Sequence, residues 1–163
     1  TGTNASNTAY ADNLAVSPVT GTLASNYNVV YNNGGLTIGK ANLTVNGVNT
    51  NVNYNGSAQT NSAASILGIQ GTTDAFTISG YGTGTNASTT AYADHLALTA
   101  TSGTLDNYNV TYNNGGLTIG KATLTVNGVN TNVTYNGSAQ TNSAASIVGR
   151  QGSDDFTISG YGT

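Results

Sequence analysis

Few residues in this sequence could do acid–base or metal chemistry. They are one histidine, His95, six aspartates with no glutamate, and the basic residues Lys40, Lys121 and Arg150, with no cysteine in 163 residues. General base catalysis needs a partner that orients the base, and thiol or thiolate chemistry needs cysteine. His95 is replaced by Asn13 where the sequence repeats, which favours a solvent-facing polar residue. This inventory predicts that the chain is not an enzyme.

Calcium is the metal for which the sequence offers candidate ligands. Asp154 and Asp155 are adjacent in a predicted loop, and Asp94 lies close to His95. Calcium takes about 6–8 oxygen ligands and usually several carboxylates. The simpler interpretation is that these aspartates cap turns. No other cofactor is predicted.

Several asparagines stand two positions before a serine or threonine, the pattern that accepts N-linked glycans in secreted proteins. In a chain this rich in Asn and Thr, such triplets also arise by chance. Those at Asn55 and Asn136 fall within predicted turns. The remaining candidates for glycan attachment are Asn4, Asn42, Asn86, Asn109 and Asn132.

The composition argues against several classes of partner. Charged residues are 6% of the chain and the net charge is −3, against about 25% charged residues in ordinary domains. Three basic residues cannot form a nucleic-acid footprint or a polybasic membrane patch, and no apolar run approaches the ~20 residues of a membrane span. A surface with so little charge should associate readily with copies of itself.

The sequence is a tandem repeat, and its most regular part is the segment 26–45, which returns almost unchanged at 107–126. Lys40 recurs 81 residues later as Lys121. Alternating Tyr and Val at 27–31 predict a strand, Asn and Gly at 32–35 predict a tight turn, and Leu36 and Ile38 predict an antiparallel return strand. The copies differ here at positions 30 and 42, where the side chains are predicted to point outward.

Further short strands are predicted through the rest of the unit. They cover 10–16, with Leu14 and Val16 facing inward, then 43–48, 52–54 and 76–78, whereas 63–67 fits either a strand or a short helical turn. Many short strands with Gly and Asn turns predict an all-β protein of tandem Ig-like β-sandwich repeats. A small β-grasp-like domain is the alternative if 63–67 is helical.

Two domain frames are compatible with the repeat. Domains could run 1–82 and 83–163, or a complete domain could occupy 42–121 between half domains at 1–41 and 122–163. The assembly joints would then be Gly39, Lys40 and Ala41, and Gly120, Lys121 and Ala122. In the second frame, complementary half domains could join separate molecules by strand addition. A long covalent array, in which each half domain is completed within one chain, is the alternative.

The segment 107–122, the triplet Tyr54-Asn55-Gly56 and the stretch 77–87 carry a family resemblance. They resemble the MBG/YDG-type repeat domains of large bacterial surface proteins, notably filamentous-haemagglutinin-like adhesins. The resemblance implies an extracellular spacer with an Ig-like or β-grasp-like fold and without catalytic residues. Near-identical copies and the scarcity of charge depart from that pattern and favour a fibrous role.

These observations predict a structural repeat of a long extracellular filament or adhesin stalk at the cell surface. Its expected partners are copies of itself or neighbouring repeats, with no nucleic acid and no membrane insertion. The alternative is an adhesive module that binds carbohydrate or protein, such as host or cell-surface glycans, through exposed tyrosines. The candidates for that role are Tyr10, Tyr81, Tyr92 and Tyr161.

Overall fold

The computed structural model describes residues 1–162, and over this range the chain forms strands and no α-helix. Two single-turn 3-10 helices, Ala24–Asn26 and Leu105–Asn107, are the helical elements found there. The prediction of an all-β protein is therefore confirmed. The segment 63–67, which fitted either a strand or a helical turn, forms a strand at Ala64–Leu67.

The middle of the chain holds most of the strands. They are β3 (Ala41–Gly47), β4 (Asn49–Asn53), β5 (Gln59–Thr60), β6 (Ala64–Leu67), β7 (Ala75–Ser79), β8 (Thr83–Gly84), β9 (Tyr92–Ala93), β10 (Ala97–Ser102), β11 (Tyr108–Asn113) and β12 (Gly116–Gly120). They form sheets in the orders β11-β3-β6, β4-β12-β9, β10-β7 and β5-β8. Strands β3 and β7 confirm the predictions for 43–48 and 76–78.

Two parallel ladders connect the first repeat to the second. β3 pairs with β11 from Ala41↔Tyr108 onward, and β4 pairs with β12 from Asn49↔Gly116 onward. The strands that open this block of chain therefore lie beside the strands that close it, and they run in the same direction. Residues far apart in sequence are tied together by backbone hydrogen bonds.

The antiparallel hairpin predicted at 27–38, with its copy at 108–119, is wrong. β11 and β12 follow each other in sequence, but they pair with β3 and β4 in different sheets. In the first copy residues 27–32 form no strand. Gly34, Gly35, Gly115 and Gly116 all lack the positive φ of a tight hairpin turn. Alternating residues specify a strand without specifying its partner, and here parallel partners replace the antiparallel one.

The link between β11 and β12 crosses from one sheet to the other beside the link between β3 and β4. At this crossing a Cβ atom on Gly47 would lie 2.6 Å from the backbone nitrogen of Gly115. Gly115 in turn approaches the backbone of Val48. Glycine is required at both positions because the two backbones approach too closely for a side chain.

The single strand predicted at 10–16 and its copy at 92–98 is also wrong. In the second copy β9 ends at Ala93 and β10 begins at Ala97, and these strands belong to different sheets. The chain breaks where the buried Asp94 carboxylate turns inward to reach hydrogen-bond donors. Leu14 and Val16, predicted to face inward, are 51% and 58% exposed, so that prediction is wrong for the first copy. Their counterparts in the second copy, Leu96 and Leu98, are buried.

The core of the described chain lies entirely within 43–119. Its buried apolar side chains are Leu43, Val45, Leu96, Leu98, Tyr108, Leu117 and Ile119. Phe76 packs edge-on against Tyr108 with ring centroids 5.5 Å apart. Because Leu43 and Val45 come from the first copy and the others from the second, the core closes across the repeat boundary.

The two ends of the chain form smaller sheets. In the N-terminal segment β1 (Ser6–Ala11) pairs antiparallel with β2 (Gly35–Ile38), and in the C-terminal segment β13 (Thr125–Gly128) pairs antiparallel with β14 (Ala145–Val148). These pairs reproduce β9 with β12 and β3 with β6, the corresponding pairs of the middle block. Their large apolar side chains are mostly exposed.

Candidate functional site

The surfaces where the two repeat copies meet are the candidate functional site. The middle block, residues 41–120 (also called the closed block below), contains a buried polar pair, Asn61 and Asp94. The Asp94 carboxylate accepts hydrogen bonds from the Asn61 side-chain amide at 2.9 and 3.1 Å and from the backbone N–H of Gly82 at 2.7 Å. Asn61 also accepts from the Thr50 hydroxyl at 2.9 Å and donates to the Val48 carbonyl at 2.7 Å. This network joins β4 to the chain before β10. Hydrogen bonds to a carboxylate are stronger than those between neutral groups.

Asp94 is a predicted calcium ligand, but its partner in the structure, Asn61, is not among the residues predicted to form a site. The signal was present in the repeat, since Asn61 returns as Asn142 and Asp94 has its counterpart in Asp12. Both Asn61 and Asp94 are fully buried, and every buried polar side-chain atom in the described part of the chain has a partner. The Asn61 amide and the Gly82 backbone N–H together supply the hydrogen-bond donors of the Asp94 carboxylate.

The N-terminal segment contacts the middle block at the joint formed by Gly39, Lys40 and Ala41. The Ala5 backbone N–H donates to the Asn107 side chain at 2.8 Å, and the Asn107 amide donates to the Asn4 side chain at 3.1 Å. Lys40 is exposed and Ala41 is half-buried as the first residue of β3. Asn107 therefore fixes the segment across the joint.

Beside this joint the Tyr108 hydroxyl donates to the Asp74 carboxylate and accepts from the backbone N–H of Gln70 at 3.0 Å. The pKa of Tyr108 is raised above 10.0, mainly by this hydrogen bond to Asp74 and secondly by burial. The neutral hydroxyl is the form that donates to the carboxylate. The network holds the loop at 70–74 against β11.

The C-terminal segment contacts the middle block beyond Gly120, Lys121 and Ala122. The Tyr54 hydroxyl donates to the Asp154 carboxylate at 2.8 Å, and this bond is the main cause that raises the pKa of Tyr54 above 10.0. Lys121 is exposed, whereas Gly120 and Ala122 are half-buried.

The turn after Tyr54 and the loop before Asp154 approach closely at the same joint. A Cβ atom on Gly56 would lie 2.6 Å from the Cα atom of Gly152. Gly56 has a φ of +79°, as the predicted Asn-Gly turn requires. The two glycines let the backbones of successive segments touch.

The acidic candidates for calcium each have a different partner in the fold. Asp154 accepts from Tyr54, Asp155 forms an ion pair with Arg150 at 2.8 Å, and Asp94 is buried with Asn61. Over residues 1–162 no group of three or more His, Cys, Asp or Glu side chains lies close enough to hold a metal ion.

The asparagines predicted as glycan acceptors are all exposed. They are Asn4, Asn42, Asn86, Asn109 and Asn132. Asn42 and Asn109 lie opposite each other in the ladder between β3 and β11.

The tyrosines predicted to be exposed for ligand binding are half-buried instead. Tyr10 and Tyr92 cover Gly2 and Gly84, and their hydroxyls donate to the backbone carbonyls of Asn4 at 2.8 Å and Asn86 at 2.9 Å. Tyr81 packs against the core and Tyr161 is half-buried. For Tyr10 and Tyr92 the expectation failed because each ring covers a glycine of its own repeat.

None of the described residues forms a helix long and apolar enough to cross a membrane. Comparison with known protein families, with curated proteins and with solved structures gives no match to this chain.

Proposed function

We propose that the chain is a structural repeat of a long extracellular bacterial filament or adhesin stalk, a non-catalytic module for spacing and assembly. The observation that carries the proposal is the pair of parallel ladders, β3 with β11 and β4 with β12. They join the beginning of one repeat unit to its end.

Parallel pairing of these strands suits a unit that carries tension. The chain enters the block at Ala41, the start of β3, and leaves it at Gly120, the end of β12. A pull on the two ends moves β3 and β4 one way and β11 and β12 the other, along the strand direction. The hydrogen bonds of each ladder are then loaded together in shear rather than opened one after another.

The proposed repeat unit is 42–121, an Ig-like β-sandwich flanked by half units at 1–41 and 122–163. The distribution of buried side chains supports this frame, since the core draws on residues from 43 to 119. The joints then fall at Lys40, where two residues separate β2 from β3, and at Lys121, where four residues separate β12 from β13. So short a connection limits the motion between neighbouring units.

The proposed setting, outside the cell or on its surface, rests on the resemblance to MBG/YDG-type repeats of bacterial adhesins. Near-identical copies and a chain with 6% charged residues suit packing of many units end to end. The proposed partners are copies of the same unit.

Single-molecule pulling tests the load-bearing role. Because the chain contains no cysteine, handles can be attached at its two termini or, in a variant, at Asn42→Cys and Asn109→Cys. Those two positions lie opposite each other in the β3–β11 ladder and are exposed, so pulling there opens the ladder one bond at a time.

We expect the terminal handles to require a several-fold higher rupture force than the handles at 42 and 109. Rupture should release 41–120, a gain of at most roughly 26–29 nm at about 3.3–3.6 Å per residue. Equal rupture forces in the two geometries would contradict a structural, load-bearing function.

A further inference from the structure

The two ends of the chain contain the same residues that build the closed block, but their apolar side chains are uncovered. In the N-terminal segment Leu14 is 51% exposed and Tyr27 is 69% exposed, whereas their counterparts Leu96 and Tyr108 are 6% and 4% exposed. The difference arises from what packs on them, because the residue types are identical.

The C-terminal segment exposes the apolar side chains that correspond to the other half of the core. Leu124 is 39% exposed and Val126 is 55% exposed, whereas their counterparts Leu43 and Val45 are fully buried. In the closed block Leu43 and Val45 lie on β3, whose ladder partner is β11. In the C-terminal segment β13 pairs with β14 alone, so its other edge is open.

We propose that the C-terminal segment 122–162 of one copy and the N-terminal segment 1–41 of a second copy close into one unit. This inference rests on the proposed structural function and specifies how its units join. The closed block at 41–120 is the template: it consists of a first part equivalent to 122–162 and a second part equivalent to 1–41.

The template fixes the register of the intermolecular ladders. The pairing of Tyr108 with Ala41 places Tyr27 of one copy opposite Ala122 of the other. The pairing of Gly116 with Asn49 places Gly35 opposite Asn130. Residues 27–32, which form no strand in the single copy, would become the counterpart of β11 by adding to the open edge of β13.

The template also predicts a buried polar contact between the two copies, equivalent to the Asn61–Asp94 pair. Asn142 already reproduces the local contacts of Asn61, since it donates to the Val129 carbonyl at 2.8 Å and accepts from the Thr131 hydroxyl at 3.0 Å. What it lacks is the carboxylate, which in the N-terminal segment is Asp12. Closing the unit would bring Asn142 of one copy to Asp12 of the other.

A second copy of this chain is the occupant because the match holds residue by residue. Leu14, Tyr27 and Leu36 are identical to their counterparts in the core, and Val16 differs from Leu98 by one methylene group. Each copy offers one half at each end, so the contact is head to tail. Unless the rotation closes into a ring, such a contact generates an open filament.

The test uses the 163-residue chain, with light scattering and sedimentation to follow association over concentration. Leu36→Lys disables the N-terminal half and Val126→Lys disables the C-terminal half, because their counterparts Leu117 and Val45 are buried in the closed block. The matched control is Val30→Lys, since Val30 and its counterpart Thr111 are both exposed. At concentrations low enough that every variant is monomeric, circular dichroism should show the same content of strand in all of them.

We expect the unaltered chain and Val30→Lys to form linear polymers. Each disabling variant alone should need at least ~100-fold higher concentration to associate, because a lysine would be buried at the contact. Mixing Leu36→Lys with Val126→Lys should restore one working contact per pair and produce dimers that grow no further.

Three results would overturn the inference: an unaltered chain that stays monomeric, a control that dissociates as much as the disabling variants, or a mixture that remains monomeric. The pulling experiment is made on single molecules and does not depend on association. A chain that resists force but never associates would therefore refute the head-to-tail contact and leave the proposed structural function standing.

Discussion

At the scale of the residue, the Tyr108–Asp74 hydrogen bond makes the free energy of unfolding fall at alkaline pH. The pKa of Tyr108 is raised above its ordinary 10.0, first by the bond to Asp74 and then by burial. A pKa that is higher in the folded than in the unfolded state gives a stabilisation that is complete below pH 10. It is lost as the pH rises from 10 through the folded-state pKa.

We therefore expect the unaltered chain to lose stability above pH 10 more steeply than Tyr108→Phe, as measured by urea unfolding at several pH values. Tyr27→Phe, the same substitution at the exposed counterpart of Tyr108, controls for the removal of one tyrosine. Parallel pH profiles for the unaltered chain and Tyr108→Phe would show that the bond does not couple to folding.

Asn61 is the second residue whose replacement should lower the free energy of unfolding, because its side chain donates hydrogen bonds to the buried Asp94 carboxylate. Asn61→Ala leaves Asp94 with fewer donors, and the loss of a hydrogen bond to a charged group costs about 1.5–3 kcal/mol. Urea unfolding of the middle block should show a loss of this size. Asn142→Ala, the same substitution in the open C-terminal segment, should change it by less than about 0.5 kcal/mol. An equal loss in both variants would mean that the Asp94 contact is not the cause.

At the scale of the element, the sequence was informative about strands and poor about their partners. Alternation at 43–45, 76–78 and 117–119 predicts which side chains face inward, and the structure buries Leu43, Val45, Leu117 and Ile119. The partner of each strand depends on residues dozens of positions away, which periodicity does not record. The short Asn-Gly link suggested a local hairpin, whereas the fold uses it to cross between sheets.

At the candidate site, too, local features follow from the sequence, whereas contacts between distant residues do not. The joints around Lys40 and Lys121 are predicted from the repeat alone, because so few residues separate the strands predicted on either side. The hydrogen bonds from Tyr54 to Asp154 and from Asn107 to Asn4 join residues about 100 positions apart. Only the three-dimensional fold brings such residues together, so the pattern of the sequence does not pair them.

At the scale of the whole molecule, one sequence unit is found in two states within the same chain. In the middle it is closed by strands from both copies, and at the ends each half is held by one antiparallel pair, β1 with β2 or β13 with β14. Two-stranded sheets without a covered apolar face are marginally stable in water. Stability should therefore be concentrated in the middle block and weak at both ends.

Hydrogen exchange followed by mass spectrometry measures this distribution directly. In dilute solution, amides of β3, β11, β4 and β12 should exchange last, since they open only with the whole block, while amides of β1, β2, β13 and β14 should exchange within the earliest times. Raising the protein concentration should slow exchange at both ends together, because each head-to-tail contact covers the C-terminal segment of one copy and the N-terminal segment of another. Leu36→Lys should abolish that concentration dependence without altering the middle block. Ends that are as protected as the middle in dilute solution would show that the half units are stable alone and have no need of a partner.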